Sequence, residues 1–417
     1  MINPQAMRGD SLDREHHHLV TPGAAPRWTA AQARPKILLY SHDTFGLGNI
    51  RRSLVLGELL GAEYPGAAIL LVTGSPMIHA FTLPRQMDYV KLPCLNRTTA
   101  DAYEPRFLSD CAHEVREARS AILEQAVLTF RPDLMIVDKR AAGIDGELLP
   151  ALDATRRLAR RPRLVLGIRD ILDAPEVTRG TLRANGSFDV MASYYDEIWI
   201  YGSPCIFDAV SEYDFPAAVA EKTRYCGYLR RAAVARRPHS GPPRVLVTTG
   251  GGEDGRDLLT AYLSAIAATP EHMFDSTVVF GPQLDTSAID ALASRVAGRA
   301  DVQLVTFDPN MARRYEDADV VVSMAGYNTV CELLTAGVRG VLVPRAAPVQ
   351  EQLIRARRLA ARGCFSLVEP STLSPDTLLS AVRDALGGPL PVGRAVDMEG
   401  LARIRERVHH LLTEQRS

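Results

Sequence analysis

A chain of 417 residues, 46% of them apolar and 23% charged, exceeds one ordinary core and suits two globular domains of roughly 150–200 residues each. Its 48 basic residues stand against 49 acidic ones, so it lacks the basic excess that nucleic-acid binding leaves. No apolar run approaches the roughly 18 residues of a membrane span, no apolar N-terminal core marks a signal peptide, and the six cysteines are scattered without a CxxC pair, which together predict a cytoplasmic protein with reduced, core-packed cysteines.

Residues 1–34 are rich in Pro, Ala, Arg and Gln without an apolar period, which predicts a disordered tail; His16, His17 and His18 are read as part of it and not as a metal site. From Lys36 onward, short aliphatic runs alternate with longer amphipathic ones. Strands are predicted at KILLY, AAILLV, DYVKL, LMIVD, RLVLGI and EIWIY, with helices between them at RSLVLGELLG and SDCAHEVREARSAILEQAVL. Near-continuous aliphatic strands separated by helices of this length mean parallel strands covered on both faces. They define a first Rossmann-like domain over 35–229. Basic residues, Pro and Gly in RRAAVARRPHSGPP mark 230–243 as a linker. The alternation restarts at RVLVTT and continues through STVVF, VQLVTF, DVVVS, GVLVP and CFSLVE, giving a second domain over 244–390. In the remaining segment, 391–417, the spacing of Leu401, Ile404, Val408, Leu411 and Leu412 predicts a helix. The expected fold is α/β: two doubly wound Rossmann-like domains facing across a cleft, with ligands outside the carboxyl ends of the strands.

The loop after the first strand reads SHDTFGLGNIRRS, residues 41–53. Gly46 and Gly48 match the first two positions of a dinucleotide fingerprint. Arg51 stands at the third, where glycine is needed for close helix–strand packing, and the second strand ends in Thr73 and Gly74 with no acid to hold a ribose. A nicotinamide or flavin cofactor is therefore disfavoured. The glycines let the backbone turn sharply against a ligand, the following helix offers a positive dipole end, and His42 and Asp43 stand at the mouth of the cleft. A plain turn, with Arg51 and Arg52 on a solvated helix face, is the alternative. Further along the same half, MIVDKRAAGIDGELLP and LGIRDILDAPEVTRG put Asp138, Lys139, Arg169, Asp170 and Asp173 near strand ends, with Glu147 opening a helix. Charges beside buried strands are costly unless paired or used. Either they line an acceptor pocket, Lys139 and Arg169 taking an anionic group, or they form an ion-paired loop network.

The second half carries more specific signals. VTTGGGEDG sets Gly250, Gly251 and Gly252 between a strand and a helix, leaving peptide N–H groups uncovered for an anion or a sugar. In SMAGYNTVCELL, Met324 and Gly326 lie in the turn after a strand, and Asn328 and Thr329 follow in the first helical turn, where donors reach a phosphate. Glu332 lies three residues past Thr329 on the same face, placed to accept from ribose hydroxyls; the alternative is a surface helix residue. Gln350, Glu351 and Gln352 open the next helix with both donors and acceptors for a sugar.

The glycine loops opening both halves, the stretch FDPNMARRYEDADVVVSMAGYNTVCELLTAGVRGVLVP and the EQ pair that follows resemble nucleotide-sugar glycosyltransferases of the two-domain GT-B type. Residues 244–386 resemble the C-terminal domain of family 28; the first half shares the architecture and its glycine loop only. The resemblance implies transfer of a sugar from a nucleotide diphosphate sugar, UDP-linked, to an acceptor (small molecule, lipid or glycan), with inversion and with no metal or cofactor. It implies a donor site made of Gly46, Gly48, Asn49, Gly250, Gly251, Gly252, Phe307, Met324, Gly326, Asn328, Thr329, Glu332, Glu351 and Gln352. Within it, Phe307 would lie beside the base, Asn328 and Thr329 would meet the diphosphate, Glu332 the ribose, and Glu351 with Gln352 the sugar. The C-terminal helix would cross back onto the first domain, and contact with a membrane surface would be peripheral. In the family's peptidoglycan enzyme a His follows the second glycine of the first loop; here Asn49 does, and an amide cannot take a proton. His42 and Asp43 thus become the candidate catalytic residues, with Lys139, Arg169 and Asp170 on the acceptor side. No DxD pair stands where a metal would be held. Two other readings stay open: a nucleotide-sugar 2-epimerase of the same architecture, and a nucleotide-sugar-binding protein without catalysis, motivated by Asn49.

Overall fold

Parallel strands dominate both halves. In the first, β1 (Lys36–Ser41), β2 (Ala68–Thr73) and β3 (Met87–Lys91) are followed by a small antiparallel pair, β4 (Leu95–Arg97) and β5 (Tyr103–Pro105), and then by β6 (Leu134–Asp138), β7 (Arg163–Arg169), β8 (Glu197–Tyr201) and β9 (Thr223–Tyr225). All but β4 and β5 join one sheet in the order β3-β2-β1-β6-β7-β8-β9. In the second half, β10 (Arg244–Thr248), β11 (Asp275–Val279), β12 (Val302–Val305), β13 (Val320–Ser323), β14 (Arg339–Leu342) and β15 (Ser366–Leu367) form a second sheet in the order β12-β11-β10-β13-β14-β15. This computed structural model describes residues 34–42, 48–98, 102–230, 239–252, 254–308, 310–391 and 396–414. The tail up to residue 33, Asp43, Gly46 and linker residues 231–238 lie outside the described residues.

Each sheet reverses its strand order once, between β1 and β6 and between β10 and β13, and doubly wound folds bind ligands at such switch points. The register sharpens this. Ser41 pairs with Asp138 and Thr248 with Ser323, so the loops on either side of each reversal leave their sheet at the same height.

The aliphatic runs are continuous because both faces of each sheet are covered. On β1, Ile37 and Leu39 enter one core while Leu38 and Tyr40 enter another. On β10, Leu246 faces the first of these cores, and Val245 and Val247 face a third. The shared core runs across the domain boundary, joining the helix Gly48–Glu63 to the helices Met311–Asp317, Tyr327–Ala336 and Gly400–Glu414. The last of these buries Ile404, Val408, Leu411 and Leu412, while Arg407 hydrogen-bonds Glu197 on β8. Leu229 forms an antiparallel bridge with Glu399. Among the described residues, no helix is long and apolar enough to cross a membrane.

Three details differ from the sequence expectation. The short strand β9 and the pair β4–β5 were not predicted; at three residues each, they carry no readable alternation. Arg52 is not on a solvated face: it is 2% exposed and points into the protein.

Candidate functional site

The C-terminal wall of the cleft is built from two loops at the β10/β13 reversal. After β10, Gly250 and Gly252 take φ of 71° and 100°. A Cβ on Gly252 would stand 2.8 Å from the Phe280 carbonyl oxygen, so that position takes no side chain, and one on Gly251 would displace the end of Gln283. Thr249 Oγ1 donates to the Phe280 carbonyl at 2.5 Å and Gln283 N donates to Gly251 O at 2.9 Å, which fixes the loop against its neighbour. After β13, Ala325 adopts a left-handed φ of 62° and Gly326 begins the helix Tyr327–Ala336, which has no acid in its first turn. The first N–H groups of a helix have no intrahelical partner and sit at the positive end of its dipole. Both loops open on one cavity of about 250 Å³, lined also by Phe307, Asp308, Met311, Tyr315, Arg345, Glu351 and Gln352.

The other wall comes from the N-terminal domain: Gly48, Arg51, Arg52 and Arg169 reach the same cavity. Asn328 Nδ2 donates to Gly48 O at 3.0 Å, and Arg51 lies 3.7 Å from Glu332, so the two walls touch directly. Arg52 donates to both oxygens of Asp138, at 3.1 and 2.7 Å, and to Asn49 Oδ1 at 2.6 Å. Burial works against charge on Arg52, but Asp138 and its hydrogen bonds outweigh it and hold the guanidinium more firmly protonated than usual. Arg169 pairs with Glu351 across the interface, and Arg345 pairs with Asp254.

A second cavity, about 680 Å³, lies beyond the loops after β6 and β7 of the N-terminal domain. Arg97, Lys139, Arg140 and Arg169 line it together with apolar side chains such as Leu149, Leu172, Val177, Leu182 and Met191. Arg169 therefore belongs to both cavities. Burial pushes the Lys139 ammonium well below the ordinary lysine range, and the charges of Arg169 and Arg140 push the same way; Glu351 opposes them. Among the described residues, no group of three or more His, Cys, Asp or Glu could hold a metal ion.

Of the expected donor residues, Gly48, Gly250, Gly251, Gly252, Phe307, Met324, Gly326, Asn328, Thr329, Glu351 and Gln352 line the smaller cavity. Asn49 and Glu332 do not line it: Asn49 is held by Arg52, and Glu332, 7% exposed, faces Arg51 behind the cavity wall. Phe307 lies two residues past the end of β12 rather than ending it. Lys139 and Arg169 line the larger cavity, but Asp170 lines neither. Its carboxylate accepts from Arg355 at 2.8 and 2.7 Å, from Tyr228 Oη at 2.8 Å and from Ile171 N at 2.8 Å, which leaves no capacity for an acceptor. His42 stands apart from the lining residues. It is 3% exposed and lines neither cavity, and burial, reinforced by Lys139, Arg140, Arg119 and Arg52, pushes its imidazole well below the usual range. The sequence reading missed Arg51, Arg345 and the double placement of Arg169; their signal lies in partners far along the chain.

Residues 245–398 match the glycosyltransferase family 28 C-terminal domain. A relative from Phenylobacterium zucineum, named UDP-N-acetylglucosamine–N-acetylmuramyl-(pentapeptide) pyrophosphoryl-undecaprenol N-acetylglucosamine transferase, is 31% identical over 160 residues, 38% of this chain and 43% of its own length. A relative of the same name from Nitrosospira multiformis is 32% identical over 176 residues, 39% of this chain and 48% of its own. The chain thus spans less than half the length of these curated relatives. In three dimensions the likeness covers nearly everything. The calicheamicin glycosyltransferase CalG4 superposes with a TM-score of 0.59 over 92% of this chain and 99% of its own, at 18% identity. MurG of Acinetobacter baumannii gives 0.56 over 90% and 99%, at 15% identity. The chain has the two-domain GT-B fold of glycosyltransferases, and its second half carries a glycosyltransferase family 28 C-terminal domain.

Proposed function

We propose that this protein transfers a sugar from a UDP-sugar to an acceptor seated in the N-terminal domain, with inversion at the anomeric carbon and without a metal ion. The observation that carries the reading is the convergence of a side-chain-free glycine loop and an uncapped helix start on one cavity at the switch point of the second sheet. Peptide N–H groups fixed in this way stabilise the charge that develops on a departing diphosphate, and they need no reorganisation at the moment of reaction. Arg51 and Arg169 bring positive charge from the opposite domain, so the cleft is complete only when both walls meet. Glu351 and Gln352, at the start of the helix Glu351–Ala360, are assigned to the sugar; Asn328 and Thr329 to the diphosphate; Phe307 to the base. The naming of the relatives for UDP-N-acetylglucosamine supports a UDP-sugar donor.

Calorimetry with UDP, UDP-glucose and UDP-N-acetylglucosamine tests the donor site, and UDP release in the presence of candidate acceptors tests transfer. The absence of heat with all three nucleotides would overturn the reading. Incubation with UDP-N-acetylglucosamine alone separates the 2-epimerase alternative: a new epimer in the nuclear magnetic resonance spectrum would assign the protein to that class instead.

A further inference from the structure

Arg169 lines both cavities, so the 680 Å³ cavity adjoins the donor cleft at a cationic side chain, beside Glu351. Lining the same cavity is Lys139, whose ammonium has no hydrogen-bond or ion-pair partner among the described residues and whose backbone is held at a left-handed φ of 70°. A non-glycine residue in that region persists where the surrounding structure over-determines it, and such strain gathers at ligand sites. Glu351 offsets Arg169, but the positive charges of Arg169, Arg140 and Arg97 still press on Lys139, a crowding that an arriving anion relieves. The rest of the cavity is apolar, lined by Leu149, Leu172, Val177, Leu182 and Met191, and its volume suits a drug-sized molecule.

Resting on the transferase reading, we propose that the acceptor is a compact apolar molecule that reacts through an acidic oxygen, a carboxylate or phenolate, bound as the anion between Lys139 and Arg169. The acceptor releases its proton to solvent. Its oxygen lone pair then forms the bond to C1 of the donor sugar as the bond from C1 to the diphosphate oxygen breaks, and the electron pair leaves on UDP. The products are a glycosyl ester or aryl glycoside and UDP. Such a nucleophile makes no demand on His42, which is buried and lines neither cavity.

The test uses the full chain and a matched set of probes that share one apolar body: biphenyl-4-carboxylate, 4-phenylphenol and biphenyl-4-methanol. Each is offered with a UDP-sugar that calorimetry has shown to bind. The acid and the phenol are expected to be glycosylated with a kcat/KM at least about a hundredfold above that of the alcohol. Lys139→Gln should raise KM for the acid by about tenfold or more, and Lys139→Arg should recover most of it, with Kd for UDP within about twofold of the parent in both. Equal transfer to the alcohol, equal loss of all three substrates in Lys139→Gln, or no binding of any probe by the UDP-loaded protein would overturn the assignment while leaving the transferase reading intact. Failure of every UDP-sugar to bind would overturn both.

Discussion

Removing the guanidinium of Arg355 tests what holds the two domains face to face. Arg355 lies on the helix Glu351–Ala360 of the second domain, is fully buried, and donates to Asp170 at the end of β7 in the first domain through Nε at 2.8 Å and Nη2 at 2.7 Å. Its Nη1 donates to the carbonyl of Ala325, the residue that turns the chain into the helix start lining the smaller cavity, at 2.9 Å. Arg355→Met keeps most of the stem volume but leaves the Asp170 carboxylate buried, served only by Tyr228 and Ile171. Hydrogen bonds to charged groups are each worth about 1.5–3 kcal/mol, so losing the two to Asp170 implies about 3–6 kcal/mol. Breaking a buried pair from one side typically costs about 3–5 kcal/mol, and we take that range. For units of 150–250 residues it corresponds to a fall in Tm of roughly 6–20 °C. Urea and thermal melts of Arg355→Met measure the loss. The double variant Asp170→Leu/Arg355→Met, which removes both charges, should lose clearly less than the sum of the two single variants. A single variant within about 1 kcal/mol of the parent, or strict additivity in the double, would refute the claim that this pair locks the interface.

Gly252→Ala places a Cβ 2.8 Å from the Phe280 carbonyl at a φ of 100°; a cost of about 1–3 kcal/mol should raise Kd for UDP roughly tenfold or more by calorimetry, with the far-ultraviolet circular dichroism unchanged. Because the folded state holds His42 below its ordinary pKa, the unfolded chain binds the extra proton as pH falls below about 6.5, and stability should drop by up to about 1.4 kcal/mol per pH unit until the depressed value is passed. Urea midpoints at pH 7.5 and 5.5 should therefore differ less in His42→Gln than in the parent. Transfer should persist in excess EDTA, since peptide N–H groups and arginines are assigned the charge of the departing diphosphate; abolition by EDTA with recovery on adding a divalent ion would refute the metal-independent mechanism.

The fold was largely legible because its strands are local and two-sided: KILLYS and VVVS are aliphatic on both faces, and only a sheet covered twice requires that. The cavity-lining residues of the second domain were legible for a related reason. Glycine triplets, strand ends and helix starts are marked in the few residues that make them, so Gly250, Gly326 and Thr329 could be placed without long-range knowledge. The interface could not be read in this way. Arg52 and Arg355 are apolar-core arginines whose meaning resides in carboxylates 86 and 185 positions away. From the sequence, Asp170 is indistinguishable from Lys139 and Arg169 as a charge near a strand end; only the approach of Arg355 from the other domain turns it into a structural ion pair.

The same long-range pairing explains what Asn49 does. Arg52, fixed by Asp138, donates to the Asn49 carbonyl oxygen, and this turns the amide nitrogen toward His42 Nε2 at 3.5 Å. A neutral imidazole can accept at Nε2 across this contact, while His42 Nδ1 is buried with no hydrogen-bond partner among the described residues. His42 Nε2 thus faces an amide nitrogen inside the protein. Asn49 thus extends a line of contacts from Asp138 through Arg52 to His42, whose imidazole is pushed well below its usual range first by burial and then by the charges of Lys139, Arg140, Arg119 and Arg52. The acceptor proposed above, an acidic oxygen bound as its anion beside Lys139 and Arg169, asks nothing of His42.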